Sequence, residues 1–162
     1  MPTDRPYLRR VDPSRTLLID RMIAAPPERI WRAFSSAAAL ARWWGPDGFT
    51  LTTRSFDFRA GGAWDYVLHG PDGADYPNHR TYTAIVPEMG YRYRQEGGRG
   101  DDRIAFEGEV RLEPVQDLTR IVIDLVFESA ADLEKVMRDY RALEGGRQTL
   151  ARLAGFVSRE TG

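Results

Sequence analysis

The feature that most constrains this chain is a change of period near residue 130. In residues 104–113, Ile104, Phe106, Gly108, Val110 and Leu112 share one parity, while Glu107, Glu109, Arg111 and Glu113 share the other. A period of two with one apolar face specifies a half-buried antiparallel strand. Residues 120–127 repeat it, with Ile121, Ile123, Leu125 and Phe127 inward and Asp124 outward. From residue 130 to 159 the spacing becomes helical. Leu133, Val136, Met137, Tyr140, Leu143, Leu150, Leu153, Ala154 and Val157 recur at i, i+3 or i+4. Read as one helix, this segment is about 45 Å long at 1.5 Å per residue, with Gly145-Gly146 interrupting its middle.

The preceding chain supplies the partner for that helix. Residues 16–24 read as a strand. Pro26-Pro27 then open a helix with Glu28 near its N-terminus and an Ile30, Trp31, Phe34 stripe. Ser35-Ser36 cap a second short helix through Leu40 and Trp43. Gly45 reads as its C-cap, and Pro46 stops it from continuing. Strands are expected over residues 50–59, 63–69, 80–86 and 91–96, separated by Gly-rich turns or by Pro87. Short connections make the sheet antiparallel. The expected fold is α+β: a curved antiparallel sheet gripping a long C-terminal helix, with two short helices after the first strand. Such a sheet cannot close on its helix at both ends, so a cavity between them is expected. Residues 1–13 read as a loosely held arm, and 14–160 as one domain.

Composition narrows the chemistry. The 162 residues carry a formal net charge of -1, which leaves no electrostatic footprint for nucleic acid. Lys135 is the only lysine, leaving 22 arginines, a bias that points to a GC-rich, bacterial genome. Zero cysteines exclude disulfides, thiolate catalysis and Cys-ligated zinc. MPTDRPYLRR lacks the apolar core of a signal peptide, and no run is apolar enough to span a membrane, so a cytoplasmic location is expected. No nucleophile elbow, P-loop or dinucleotide fingerprint is present. His69 and His79 sit ten apart without metal-ligand spacing, so they read as surface or turn residues. Arg99-Gly100-Asp101 reads as an incidental hairpin tip. No catalytic set, metal or cofactor is expected.

The segments PPERIWRAFSSAAALARWWGPDGF, RAGGAWDYVLHGPDGADYPN, AIVPEMGYRY and ALEGGRQTLARLAGFV resemble the bacterial branch of the family named for the activator of the heat-shock-protein-90 ATPase. That branch lies in the START-like, SRPBCC superfamily of helix-grip proteins, and the resemblance spans residues 16–157. It implies a deep hydrophobic pocket between sheet and C-terminal helix. The superfamily includes lipid carriers, hormone-binding proteins, polyketide cyclases and aromatases, and a co-chaperone domain.

The expected pocket residues are Trp44, Phe49, Phe58, Trp64, Tyr66, Tyr93, Phe106, Met137, Tyr140 and Glu144. Trp43 and Trp44 lie about 100° apart around a helix, so both cannot face the core; Trp43 is assigned to it and Trp44 to the pocket mouth. Glu144, or Gln148, offers a polar handle beside the two glycines. The expected function is binding of a small hydrophobic or amphipathic ligand. A cyclase- or aromatase-like enzyme using the same pocket and a chaperone-interacting module are the alternatives. A homodimer is left open.

Overall fold

The computed structural model describes residues 12–99 and 102–159. The expected arm falls largely on residues 1–11, and the Arg-Gly-Asp tip on residues 100 and 101, outside the described residues. A short 3-10 turn, Pro13–Arg15, leads into β1 (Thr16–Ile23). Two helices follow, α1 (Pro27–Phe34) and α2 (Ala37–Trp43). Then come β2 (Thr50–Phe56), β3 (Ala63–His69), β4 (Asp75–Val86), β5 (Gly90–Arg99), β6 (Asp102–Val115) and β7 (Leu118–Phe127). The described chain ends in α3 (Ala130–Asp139) and α4 (Ala142–Arg159).

The seven strands form one antiparallel sheet in the order β1-β7-β6-β5-β4-β3-β2. The first two strands in sequence therefore sit at opposite edges, and α1 and α2 carry the chain between them. The expected architecture is present: a curved antiparallel sheet, two short helices after the first strand, and a long C-terminal helix.

Register explains how the gripping face is built. Trp64 pairs with Arg80, Arg80 with Gln95, Gln95 with Phe106 and Phe106 with Phe127. Tyr93 pairs with Gly108, whose missing side chain leaves room for the phenol; a Cβ there would lie 2.2 Å from the Tyr93 ring. On β4, Tyr82 and Ile85 have opposite sequence parity, yet both pack with the core. A bulge between Tyr82 and Ala84 restores the face, because one extra residue resets the alternation.

β2 ends at Phe56, not at residue 59, β5 runs Gly90–Arg99 against an expected 91–96, and two further differences bear on the site. β4 begins at Asp75, not at residue 80. Pro77 lies inside it, paired with Val67 of β3, one residue before β4 begins to pair with β5. The expected single C-terminal helix is two. Tyr140 caps α3, and Arg141 adopts φ 52 before α4 starts. Gly145 and Gly146 lie within α4 and do not interrupt it. Gly146 has a packing reason: a Cβ there would stand 2.2 Å from Ile19 Cδ1, so its absence lets α4 approach β1.

Candidate functional site

The interior between sheet and helices has a closed end and an open end. At the closed end, Phe58 stacks edge-on against Tyr82 and Tyr91, with centroids 5.0 and 5.6 Å away, and meets Trp31 at 5.4 Å. The edge-to-face arrangement is the one aromatic rings favour. At the open end, near the α3–α4 junction, lies a cavity of about 380 Å³. Phe49, Tyr76 and Tyr140 line it, with Ile104, Phe127 and Val136. A second chamber of about 250 Å³ lies deeper, lined by Trp44, Tyr66, Arg80, Tyr93, Gln95 and Thr149. Pro46, Asn78, Phe106, Leu125, Tyr140 and Ala142 line both, so the two chambers are contiguous. Gly145 and Gly146 border the inner chamber.

The WWGPDGF loop forms one wall. Trp43 is 1% exposed, its indole N–H donates to the Ala33 carbonyl at 3.1 Å, and its ring meets Phe34 edge-on. Trp44 occupies the C-cap position of α2 and turns towards the inner chamber. Gly45 follows with φ 107, a conformation that favours glycine. The loop is tied to α4. Arg152 Nη1 donates to the carbonyls of Gly45 at 2.9 Å and Pro46 at 3.0 Å, and Gln148 Oε1 accepts from the Asp47 N–H at 3.0 Å. Gln148 is therefore a loop anchor, not the ligand handle expected of it.

The mouth is fixed by a second tie. Tyr140 donates its hydroxyl to Asp102 at 2.6 Å, and Lys135 pairs with the other Asp102 oxygen at 2.9 Å. The Tyr140 bond, with Lys135 second, holds the Asp102 carboxyl below its usual range. Burial, with the Asp102 bond second, pushes the Tyr140 phenol up to about 12.

Of the ten expected pocket residues, six line the chambers: Trp44, Phe49, Tyr66, Tyr93, Phe106 and Tyr140. The other four lie elsewhere. Phe58 belongs to the closed aromatic end. Trp64 is fully buried behind Tyr66, stacked on it at 3.9 Å, with its indole N–H bonded to Thr53. Met137 is 37% exposed on α3, one residue past the inward Val136. Glu144 is exposed and pairs with Arg141 at 3.1 Å, because the break after α3 rotates it to the surface.

Among the polar side chains of the inner chamber are Asn78, Arg80 and Gln95, which the sequence pattern does not single out as site residues. Their parity with Tyr82, Tyr91 and Tyr93 is the available signal, but Pro77 hides the first half of β4. Arg80 is 1% exposed. Its Nε donates to Gln95 Oε1 at 2.7 Å, and its Nη1 donates to the Tyr91 hydroxyl at 3.3 Å. Gln95 Nε2 donates onward to Tyr66 at 2.7 Å and Asn78 at 2.9 Å. Burial pushes the phenols of Tyr82, Tyr91 and Tyr93 upward, so they stay protonated at neutral pH.

The histidines face away from this cavity. His69 bridges Thr52 at 2.7 Å and Asp75 at 2.8 Å, and His79 pairs with Asp65, all on exposed positions. Among the described residues, no three His, Asp or Glu side chains converge as a metal site, and no helix is long and apolar enough to cross a membrane.

Comparison with solved structures returned relatives across nearly the whole chain. A protein from Arthrobacter aurescens is 24% identical, covering 93% of this chain and 90% of its own, with a TM-score of 0.83. One from Chromobacterium violaceum is 25% identical, covering 90% and 99%, with a TM-score of 0.77. One from Mycobacterium smegmatis is 24% identical, covering 94% and 97%, with a TM-score of 0.83. Comparison with curated proteins returned no match. The family model described as "Activator of Hsp90 ATPase homolog 1-like protein" matches residues 24–158. With that match over a helix-grip fold, the chain belongs to the Activator of Hsp90 ATPase homolog 1-like family, within the START-like SRPBCC superfamily.

Proposed function

We propose that this protein binds a small hydrophobic or amphipathic molecule in the cavity between sheet and C-terminal helices, without covalent chemistry. Membership of the family and the helix-grip architecture support a ligand-binding or related module in general. The observation that carries the finer reading is the pair of contiguous chambers, about 380 and 250 Å³, opening beside Phe49, Tyr76 and Tyr140. That is the size range of small-molecule sites. Affinity comes from apolar area removed from water, at about 25 cal/mol per Å².

An enzyme in this cavity needs a group that exchanges protons near neutrality. The buried phenols are pushed above their ordinary value, and the two histidines lie on another surface. This favours binding over a cyclase-like reaction.

Native mass spectrometry of the protein purified from its own host tests the reading. A co-purifying apolar adduct, released on denaturation, is expected. A protein that carries no adduct, binds no apolar fluorophore and stimulates an Hsp90-type ATPase would instead support the chaperone role that the family description names.

A further inference from the structure

The inner chamber contains a charge that the protein leaves unneutralised. Among the described residues, Arg80 is the one charged side chain lining it. The guanidinium stays ionised at any working pH. Its hydrogen-bond partners are neutral: Gln95, Tyr91 and, by a further contact, Tyr82. Among the described residues no carboxylate pairs with it. Its faces are covered instead, with the Tyr93 centroid at 3.8 Å, Trp44 at 4.9 Å and Trp64 at 5.3 Å. Cation–π contacts offset part of the desolvation cost but do not cancel the charge. Two other buried or half-buried arginines meet carboxylates: Arg111 meets Glu109, Glu113 and Asp124, and Arg120 meets Asp20 and Glu113, while half-buried Arg152 is held by backbone carbonyls. A buried guanidinium that lines a cavity and meets no carboxylate among the described residues has the form of half an ion pair.

We propose that the inner chamber takes the anionic head of a carboxylic acid whose apolar tail fills the outer cavity, with Arg80 as its counter-ion. This deepens, and rests on, the binding reading above. Charge balance selects a monoanionic head group. One guanidinium neutralises a monoanion, whereas a phosphate dianion would bring a net negative charge into an aromatic interior. A fork of N–H donors also matches the two oxygens of a carboxylate. Gln95 orients the fork, since its amide accepts from Arg80 while donating to Tyr66 and Asn78. The Tyr66 hydroxyl accepts from Gln95 and keeps its own proton to donate. Ile104, Phe106, Leu125 and Phe127 give the outer cavity an apolar wall that suits an alkyl or aryl tail, with the charged Asp139 and Arg141 also in its lining.

Calorimetric titration of the full chain with decanoate and with 1-decanol separates head from tail. Decanoate is expected to bind roughly 10- to 100-fold more tightly, the range for a charge-assisted hydrogen bond. Equal affinities would overturn the head-group assignment and leave the binding reading standing. If neither binds while the neutral fluorophore N-phenyl-1-naphthylamine does, the assignment also fails; if that fluorophore is excluded too, the binding reading falls with it. Arg80→Met is expected to lower decanoate affinity by the same factor and leave decanol unchanged. Should that variant not fold, carbon-13 carboxyl-labelled decanoate bound to the parent protein gives the same answer. Its carboxyl resonance is expected to stay that of the ionised form well below the pH at which the free acid titrates. Titration like the free acid would contradict the assignment.

Discussion

Trp43 and Trp44 are neighbours with different roles. Trp43 completes the last turn of α2, bonds the Ala33 carbonyl and is sealed in the core. Trp44 sits just past that turn, against the Arg80 guanidinium and the inner chamber. Trp43→Ala is expected to cost about 3–5 kcal/mol in chemical denaturation. Trp44→Ala should cost less and weaken binding of N-phenyl-1-naphthylamine; equal destabilisation without a change in binding would return Trp44 to the core. The division between the two was legible from the 100° step around a helix. Arg80 was not legible, because an arginine near the start of an apparent strand looks like a solvent-facing end. Only the pairing of Arg80 with Trp64 and Gln95, hidden behind Pro77, puts it inside. Glu144 erred the other way. Its spacing from Tyr140 implies one continuous helix, and the φ 52 turn at Arg141 removes that premise.

At the scale of elements, the paired glycines of α4 are a device for closeness. Gly146 faces Ile19 of β1, and an added Cβ would collide with Cδ1. Gly146→Ala is therefore expected to destabilise by about 1–3 kcal/mol through overpacking. Ile19→Val removes the colliding methyl, so the double variant should lose less than the sum of the singles. Gly145→Ala meets only the Pro46 ring, 3.3 Å away, and gains helix propensity, so it should be close to neutral. Full additivity of Gly146→Ala with Ile19→Val in denaturation curves would contradict the contact. The strands were readable in sequence because alternation survives where one face is buried and the other wet. The bulge at Tyr82/Ala84 and the break at Tyr140-Arg141 were not, since both are single-residue departures set by tertiary contacts.

Across the whole molecule, the interior is aromatic and tyrosine-rich at one end and open at the other, and both ends have measurable consequences. Burial pushes the Tyr82 phenol up to about 12. Unfolded, it titrates near 10, so above about pH 10 the unfolded chain loses a proton that the fold retains. Stability from this group is complete below that value and is lost as pH rises through about 12. Thermal denaturation across that window should show falling stability, with tyrosinate absorbance appearing together with unfolding. A phenol signal of Tyr82 titrating near 10 in the folded protein would contradict its burial. The open end carries the functional claim, and Ala142 is the position from which to block it, since it lines both chambers. The most direct test is equilibrium titration of N-phenyl-1-naphthylamine into the parent protein and into Ala142→Trp, with circular dichroism to confirm the fold of each. Saturable one-to-one binding by the parent, lost in the folded variant, is the expected result. No saturable binding by the parent, or equal binding by both, would contradict a ligand site between the sheet and its helices.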